Sequence, residues 1–321
     1  MDKGEIDKKL HEKSVFKEYK RLKKSWNMFI IGTLIIFLLL IVVFYFLMQK
    51  EPDWKISDDG LLYYAPDRGP PIYKYSDIGS MADTTIVLSY ESRGATVHGV
   101  LRIPKTDVKR VPGIVLLPGA GVTKEMEQQL ALVLRDMGYA TLTIDQRGVG
   151  ESEEKLRDLD VDYNLFRWGN EPTAHKIVYD ALKAYDLLSE REEIDHDRII
   201  ILGESMGGRV GIIATALEPG IRGVVGISTG GYGLGNVSPG DNLTLFQRSF
   251  DPDTYIGSIS PRKVLMIHSR NDNIIIIENA ERTFSFANEP KRLVYVDCEM
   301  HGYCDEMSEE LEEGIAWVLG S

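Results

Sequence analysis

Gly203-Glu204-Ser205-Met206-Gly207 reads G-x-S-x-G, and its surroundings decide how the chain folds. Upstream lies Arg198-Ile199-Ile200-Ile201-Leu202, a short β-branched run of the kind that a strand buried on both faces needs. Downstream, Gly208 to Leu217 reads as a helix that tolerates two glycines. A serine between a strand and a helix, with small residues on either side, marks a nucleophile elbow. The small neighbours allow a sharp, strained turn that lifts the hydroxyl clear of the backbone. The alternative is a plain Gly-rich connection.

Working outward, the order of elements is regular from about residue 83. Thr84 to Tyr90 and Thr96 to Ile103 alternate and are joined by Glu91-Ser92-Arg93-Gly94, which predicts an antiparallel hairpin. Gly113 to Leu117 and Tyr139 to Ile144 read as strands around a helix over Lys124 to Met137 that Gly138 closes. A helix over Thr173 to Leu188 starts behind Pro172 and precedes the strand into the elbow. Strands follow at Ile221 to Ile227, Lys263 to Ile267 and Arg292 to Val296, with helices at Glu278 to Phe286 and Glu306 to Leu319. The expectation is an α/β fold: a mostly parallel sheet opened by a hairpin and covered by helices on both faces. In such sheets reactive groups sit on loops beyond the carboxyl ends of the strands.

A serine hydroxyl near neutral pH needs a base to take its proton and a third group to hold that base in the right tautomer. His301 is the candidate base. It lies in Cys298-Glu299-Met300-His301-Gly302, after the last strand and before the last helix. The other five histidines are less well placed: His11 precedes the apolar run, His98 is in the hairpin, His175 is early in a helix, and His196 is in a turn before a strand. His268 ends a strand ahead of the acid. Asp272, in His268-Ser269-Arg270-Asn271-Asp272-Asn273, is the candidate acid, with Asp297 and Asp305 as alternatives and an Asx-type turn as the bland reading. Two backbone donors should meet the oxyanion: Met206 N–H, and Ala120 N–H in Leu117-Pro118-Gly119-Ala120-Gly121, with Gly121 next. Gly119-x-Gly121 followed by Asp145 echoes a dinucleotide fingerprint, but Lys124 stands where the third glycine belongs.

Taken together, Leu117 to Gly121, Asp145-Gln146-Arg147-Gly148-Val149-Gly150-Glu151-Ser152, Gly203 to Gly208, Ser269 to Asp272 and His301-Gly302 make residues 83–321 resemble the α/β-hydrolase superfamily. The resemblance is to its serine esterases and its dienelactone-hydrolase-like or prolyl-oligopeptidase-like members. It implies a Ser-His-Asp triad, an acyl-enzyme and no cofactor or metal. Pro118 departs from the histidine that many relatives carry, which weakens assignment to a subfamily. The Asp145 to Ser152 segment reads as structural. The expected activity is cleavage of carboxylic esters. A serine peptidase or amidase, or a catalytically silent anchored binding protein, are the alternatives. Peptidases of the prolyl-oligopeptidase group usually carry a large propeller, for which residues 50–82 are too few.

Residues 25–49 contain no charge. At about 1.5 Å per helical residue they suffice for a hydrocarbon core roughly 30 Å thick, which predicts a transmembrane helix over 26–49. Residues 1–26 carry nine Lys or Arg against five Asp or Glu, including Lys20-Arg21-Leu22-Lys23-Lys24. A basic stub over 1–25 therefore predicts a cytoplasmic N-terminus and an exported catalytic domain. A cleaved signal peptide fits less well, because the run is long and no small-residue cleavage site follows. Residues 50–82, with Pro52, Pro66, Pro70 and Pro71, read as a juxtamembrane linker, in which Tyr63-Tyr64 and Tyr73-Tyr75 either add a short strand or pack on the domain. The whole chain has a net charge of −12, and residues 1–26 are net positive. The acidic remainder argues against nucleic acid as a partner.

Cys298 and Cys304 straddle His301 and match no zinc pattern. Export would permit a disulfide; two free thiols are the alternative. Specificity in this superfamily comes from insertions. Ser228 to Arg262 is long enough for a small flap, and Glu153 to Glu171 brings Tyr163, Leu165, Phe166 and Trp168, which either line a pocket or pack on the core. The expected substrate is a small-molecule ester or lipid-like ester with a short or medium chain. Asn236 and Asn242 begin glycosylation sequons that chance also explains.

Overall fold

The computed structural model describes residues 3–48, 53–79, 82–234 and 241–320. They form two compact units, meeting in sequence between Asp53 and Trp54. In the first, α1 (Lys3–Met48) is one continuous helix, so the basic stub and the apolar run belong to a single element. Its stretch Phe16–Phe44, whose most apolar 18-residue window has a mean hydropathy of 2.9, is long and apolar enough to cross a membrane by length and composition.

The second unit begins at Trp54, earlier than the expected boundary at residue 83, and the short strands that the sequence offered at Tyr63-Tyr64 and Tyr73-Tyr75 are present within the stretch read as a linker. Strand β1 (Trp54–Ile56) pairs antiparallel with β2 (Leu62–Tyr64), and β3 (Tyr73–Asp77) is the edge strand of the main sheet. These strands are too short to show a period. Single side chains tie the segment down instead. Leu62 is fully buried and its N–H donates to Tyr255 Oη at 2.8 Å; Tyr64 Oη reaches Glu171 at 2.8 Å; Arg68 bridges Asp186 and Glu218.

The hairpin is β4 (Asp83–Ser92) and β5 (Ala95–Pro104), longer than expected because its turn is only Arg93-Gly94. Both turn residues have positive φ, 46° and 74°, matching the right-handed twist of the strands they join. Then come β6 (Val111–Leu117), α2 (Gln128–Asp136), β7 (Ala140–Ile144), α3 (Leu159–Arg167), α4 (Thr173–Ser189), β8 (Ile194–Glu204) and α5 (Met206–Leu217). The chain continues through β9 (Gly223–Ile227), α6 (Asn242–Phe250), α7 (Pro252–Tyr255), β10 (Lys263–Ser269), α8 (Ile277–Phe286), β11 (Lys291–Val296) and α9 (Ser308–Leu319).

The nine-stranded sheet runs β11-β10-β9-β8-β6-β7-β5-β4-β3, parallel from β11 to β7 and antiparallel beyond. Alternation along its central strands builds two cores. Val115, Leu117, Ile199 and Ile201 pack on one face with residues of α4 and α5; Ile114, Leu116, Ile200 and Leu202 pack on the other with α2 and α9. Every one of these eight strand residues is at most 1% exposed. Each large apolar side chain so buried contributes about 1.5–3 kcal/mol, which explains the unbroken aliphatic runs around the elbow.

The topology also places the site. The chain leaves β6 for β7 on one side and returns to β8 on the other, opening a crevice above β6 and β8. Leu117 is in register with Gly203, so the loop after β6 and the elbow after β8 start level and side by side.

Candidate active site

Ser205 sits at φ 50° and ψ −111°, a conformation that L-residues rarely adopt. The turn is held from below: Ser205 N–H donates to Ile227 O at 2.9 Å, and Thr229 Oγ1 donates to Ser205 O at 2.7 Å. Two glycines are required for close approach. A Cβ on Gly203 would overlap the Gly207 carbonyl, and one on Gly207 would overlap the Leu117 carbonyl. Ser205 itself is half-buried.

Met206 opens α5, so its N–H is among those that a helix start cannot bond internally. The loop carrying Ala120 passes over the elbow: a Cβ on Gly119 would lie 3.7 Å from Ser205 Cβ. Ala120 and Gly121 are exposed at its tip. The Asp145 to Ser152 segment braces this loop from beneath. Asp145 Oδ1 accepts Lys124 N–H at 2.6 Å, and Oδ2 accepts Lys124 Nζ at 2.9 Å and Glu151 N–H at 3.0 Å. Gln146 Nε2 donates to Pro118 O at 2.6 Å, and Arg147 is fully buried against Asp180.

Asp272 and His301, 29 residues apart in sequence, meet. His301 Nδ1 lies 2.8 Å from Asp272 Oδ2 and 3.0 Å from Oδ1. Asp272 Oδ1 also accepts Ile274 and Ile275 N–H, each at 2.9 Å. Burial would raise this carboxyl, but His301 and the two amides outweigh it and hold it below the ordinary aspartate range. The alternative acids are elsewhere: Asp297 is exposed against Arg270, and Asp305 opens a short 3₁₀ turn.

In the His301 loop the structure settles one open alternative and adds two features that were not read from sequence. Cys298 and Cys304 form a disulfide that closes the loop around His301, which decides between the two alternatives above. Ser269 Oγ donates to Cys298 O, tying the loop to β10. His268, buried on the far side of Asp272, lies 3.8 Å from Oδ2 while its Nε2 bonds Ile275 O at 2.7 Å; burial pushes its imidazole down, favouring the neutral form. The signal for His268 was its place four residues before the acid at a strand end.

The two insertions hold helices that sequence periodicity did not mark. Phe246 of α6 stacks with Tyr163 and Phe166 of α3 at 5.6 and 5.5 Å, so these rings pack together, whereas Trp168 is 74% exposed. Asn242 is the first residue of α6; Asn236 lies outside the described residues.

Comparison with known proteins agrees with this architecture. Residues 74–229 match the family model for acetyl xylan esterase (AXE1). An acetyl xylan esterase from Paenibacillus sp. R4 superposes with a TM-score of 0.65 over 79% of this chain and 90% of that one, at 17% identity. The chain has the α/β-hydrolase fold. Acetyl xylan esterase 1 from Thermoanaerobacterium sp. JW/SL YS485 shares the α/β-hydrolase fold at a TM-score of 0.60, over 78% of this chain and 89% of that one, at 17% identity. The chain spans about half the length of the curated relatives that it matches first. The uncharacterized protein YfhR of Escherichia coli K12 is 27% identical over 168 residues, 51% of this chain and 53% of YfhR. The 2,6-dihydropseudooxynicotine hydrolase of Paenarthrobacter nicotinovorans, a further relative, is 32% identical over 121 residues, 38% of this chain and 28% of that protein.

Proposed function

We propose that this α/β-hydrolase is a membrane-tethered serine esterase that cleaves short-chain carboxylic esters. The observation that carries the reading is the His301–Asp272 pair held at the same sheet edge as a strained Ser205. Ser205 Oγ attacks the ester carbonyl carbon as its proton passes to His301 Nε2. Asp272, kept ionised, holds Nδ1–H and stabilises the imidazolium. Met206 and Ala120 N–H receive the charge on the carbonyl oxygen. The C–O bond to the alcohol breaks, and the alcohol leaves with the proton from His301. Water then attacks the acyl-enzyme by the same route, releasing the acid and restoring Ser205. The match to the acetyl xylan esterase model supports a small acyl group.

The tether rests on Phe16–Phe44 and on the basic residues before it, which favour an N-terminus on the cytoplasmic side. External protease on intact cells should then digest the hydrolase unit; protection until lysis would contradict this orientation. For the activity, p-nitrophenyl esters from acetyl to octanoyl and aminoacyl p-nitroanilides are offered to the full-length protein in detergent. The proposal expects turnover of the shorter esters. Turnover confined to the anilides, or to long-chain esters, would contradict it.

A further inference from the structure

Glu204, the residue between Gly203 and Ser205, does not point to solvent. Its Oε1 accepts Tyr303 N–H at 2.8 Å, across 99 residues of sequence. Its Oε2 lies beneath Gly302, where a Cβ would stand 3.0 Å away, and Gly302 adopts φ 91°. The carboxylate beside the nucleophile therefore grips the two residues that follow His301. A second acid stands behind it. Glu127, just before α2, is 5% exposed, and its Oε1 has no hydrogen-bond partner among the described residues.

We propose that Glu204 is a positioning residue, which fixes the His301-Gly302-Tyr303 backbone against the elbow and sets a negative charge facing the imidazole. This rests on the triad reading above. With Glu127 buried and Glu204 half-buried beside it, the two acids favour sharing one proton, since neighbouring charges screened from water repel. Burial and then the Glu204 charge push the Glu127 acid up to about 8, so Glu127 holds the proton. Burial raises Glu204 as well and outweighs the opposing pull of Tyr303 N–H and His301; with the shared proton on Glu127, Glu204 carries the charge. The groups facing this cluster are Glu127 from before α2, Glu204 from β8, Asp272 and His268 from around the end of β10, and His301 itself. Glu204 thus links nucleophile and base through one side chain, while Asp272 orients the ring from the other side.

The test measures kcat and KM for p-nitrophenyl acetate from pH 5 to 9 on the full-length protein, comparing Glu204→Gln, Glu204→Ala and Ser205→Ala with the parent. Glutamine keeps an acceptor for Tyr303 but loses the charge. Its kcat should stay within about threefold, while the acid limb of kcat moves to lower pH by about half a unit or more. Alanine loses both, so kcat should fall at least about tenfold with KM within about twofold, because a misplaced base costs rate rather than affinity. An unmoved acid limb in Glu204→Gln overturns the proposal, whether or not Glu204→Ala folds. Parent-like kcat in a folded Glu204→Ala overturns it too. Turnover surviving in Ser205→Ala would instead overturn the triad reading beneath it.

Discussion

Replacing Asp272 with asparagine tests the triad at its most constrained atom. Oδ1 already accepts Ile274 and Ile275 N–H at 2.9 Å, so an asparagine must put its carbonyl oxygen there. Its NH₂ group then takes the place of Oδ2, 2.8 Å from His301 Nδ1. A donor at that point forces Nδ1 to accept, and the imidazole proton moves to Nε2. That nitrogen can no longer take the proton from Ser205. The expected loss is about 10⁴ in kcat, or about 5 kcal/mol of activation free energy. Because both backbone donors keep their acceptor, Tm should shift by only about a few degrees. Initial rates with p-nitrophenyl acetate at pH 7.5 and a thermal melt provide both readings. A folded variant whose kcat lies within about tenfold of the parent would refute the reasoning and mean that another acid serves.

Further predictions follow from the same geometry. Asp145→Asn puts a donor against Lys124, itself 1% exposed, and should cost about 3–5 kcal/mol while lowering kcat through the Gly119-Ala120 loop; a urea midpoint and kcat unchanged from the parent would contradict this. Replacing both Cys298 and Cys304 with serine opens a short loop and should cost about 2 kcal/mol by urea titration followed through tryptophan fluorescence, with a loss of kcat; parent-like values in both would contradict the loop's role. Glu127, with its folded-state acid raised to about 8 from an ordinary 4.5, keeps a proton that the unfolded chain releases. Its contribution is complete below pH about 4.5 and is lost as pH rises toward 8, so Tm should fall over that window less steeply in Glu127→Gln than in the parent. Identical slopes would contradict the assignment.

The elbow was legible because its constraint is local: only glycine clears the neighbouring carbonyls at 203 and 207, and aliphatic runs must flank a strand buried on both faces. Asp272 and His301 could be located because α/β topology sends loops from β10 and β11 to the same edge as β8. Other features left no periodic trace. Strands β1 to β3 are three to five residues long and are anchored by single contacts such as Leu62 to Tyr255. Helices α3 and α6 are nine residues each, and their aromatic rings stack on one another and on His175. The grip of Glu204 on Tyr303 joins residues 99 apart, and no spacing rule reaches that far. The hairpin turn was read too wide, because Arg93 tolerates a positive φ that its side chain does not advertise.

The central claim is that Ser205 is the nucleophile and His301 its base. Intact-mass measurement of the full-length protein after exposure to a fluorophosphonate tests it most directly. The account predicts one adduct, mapped to Ser205 by peptide sequencing, absent in Ser205→Ala and slowed by about 10³ or more in His301→Ala. An unmodified parent protein, or an adduct that persists in Ser205→Ala, would contradict it.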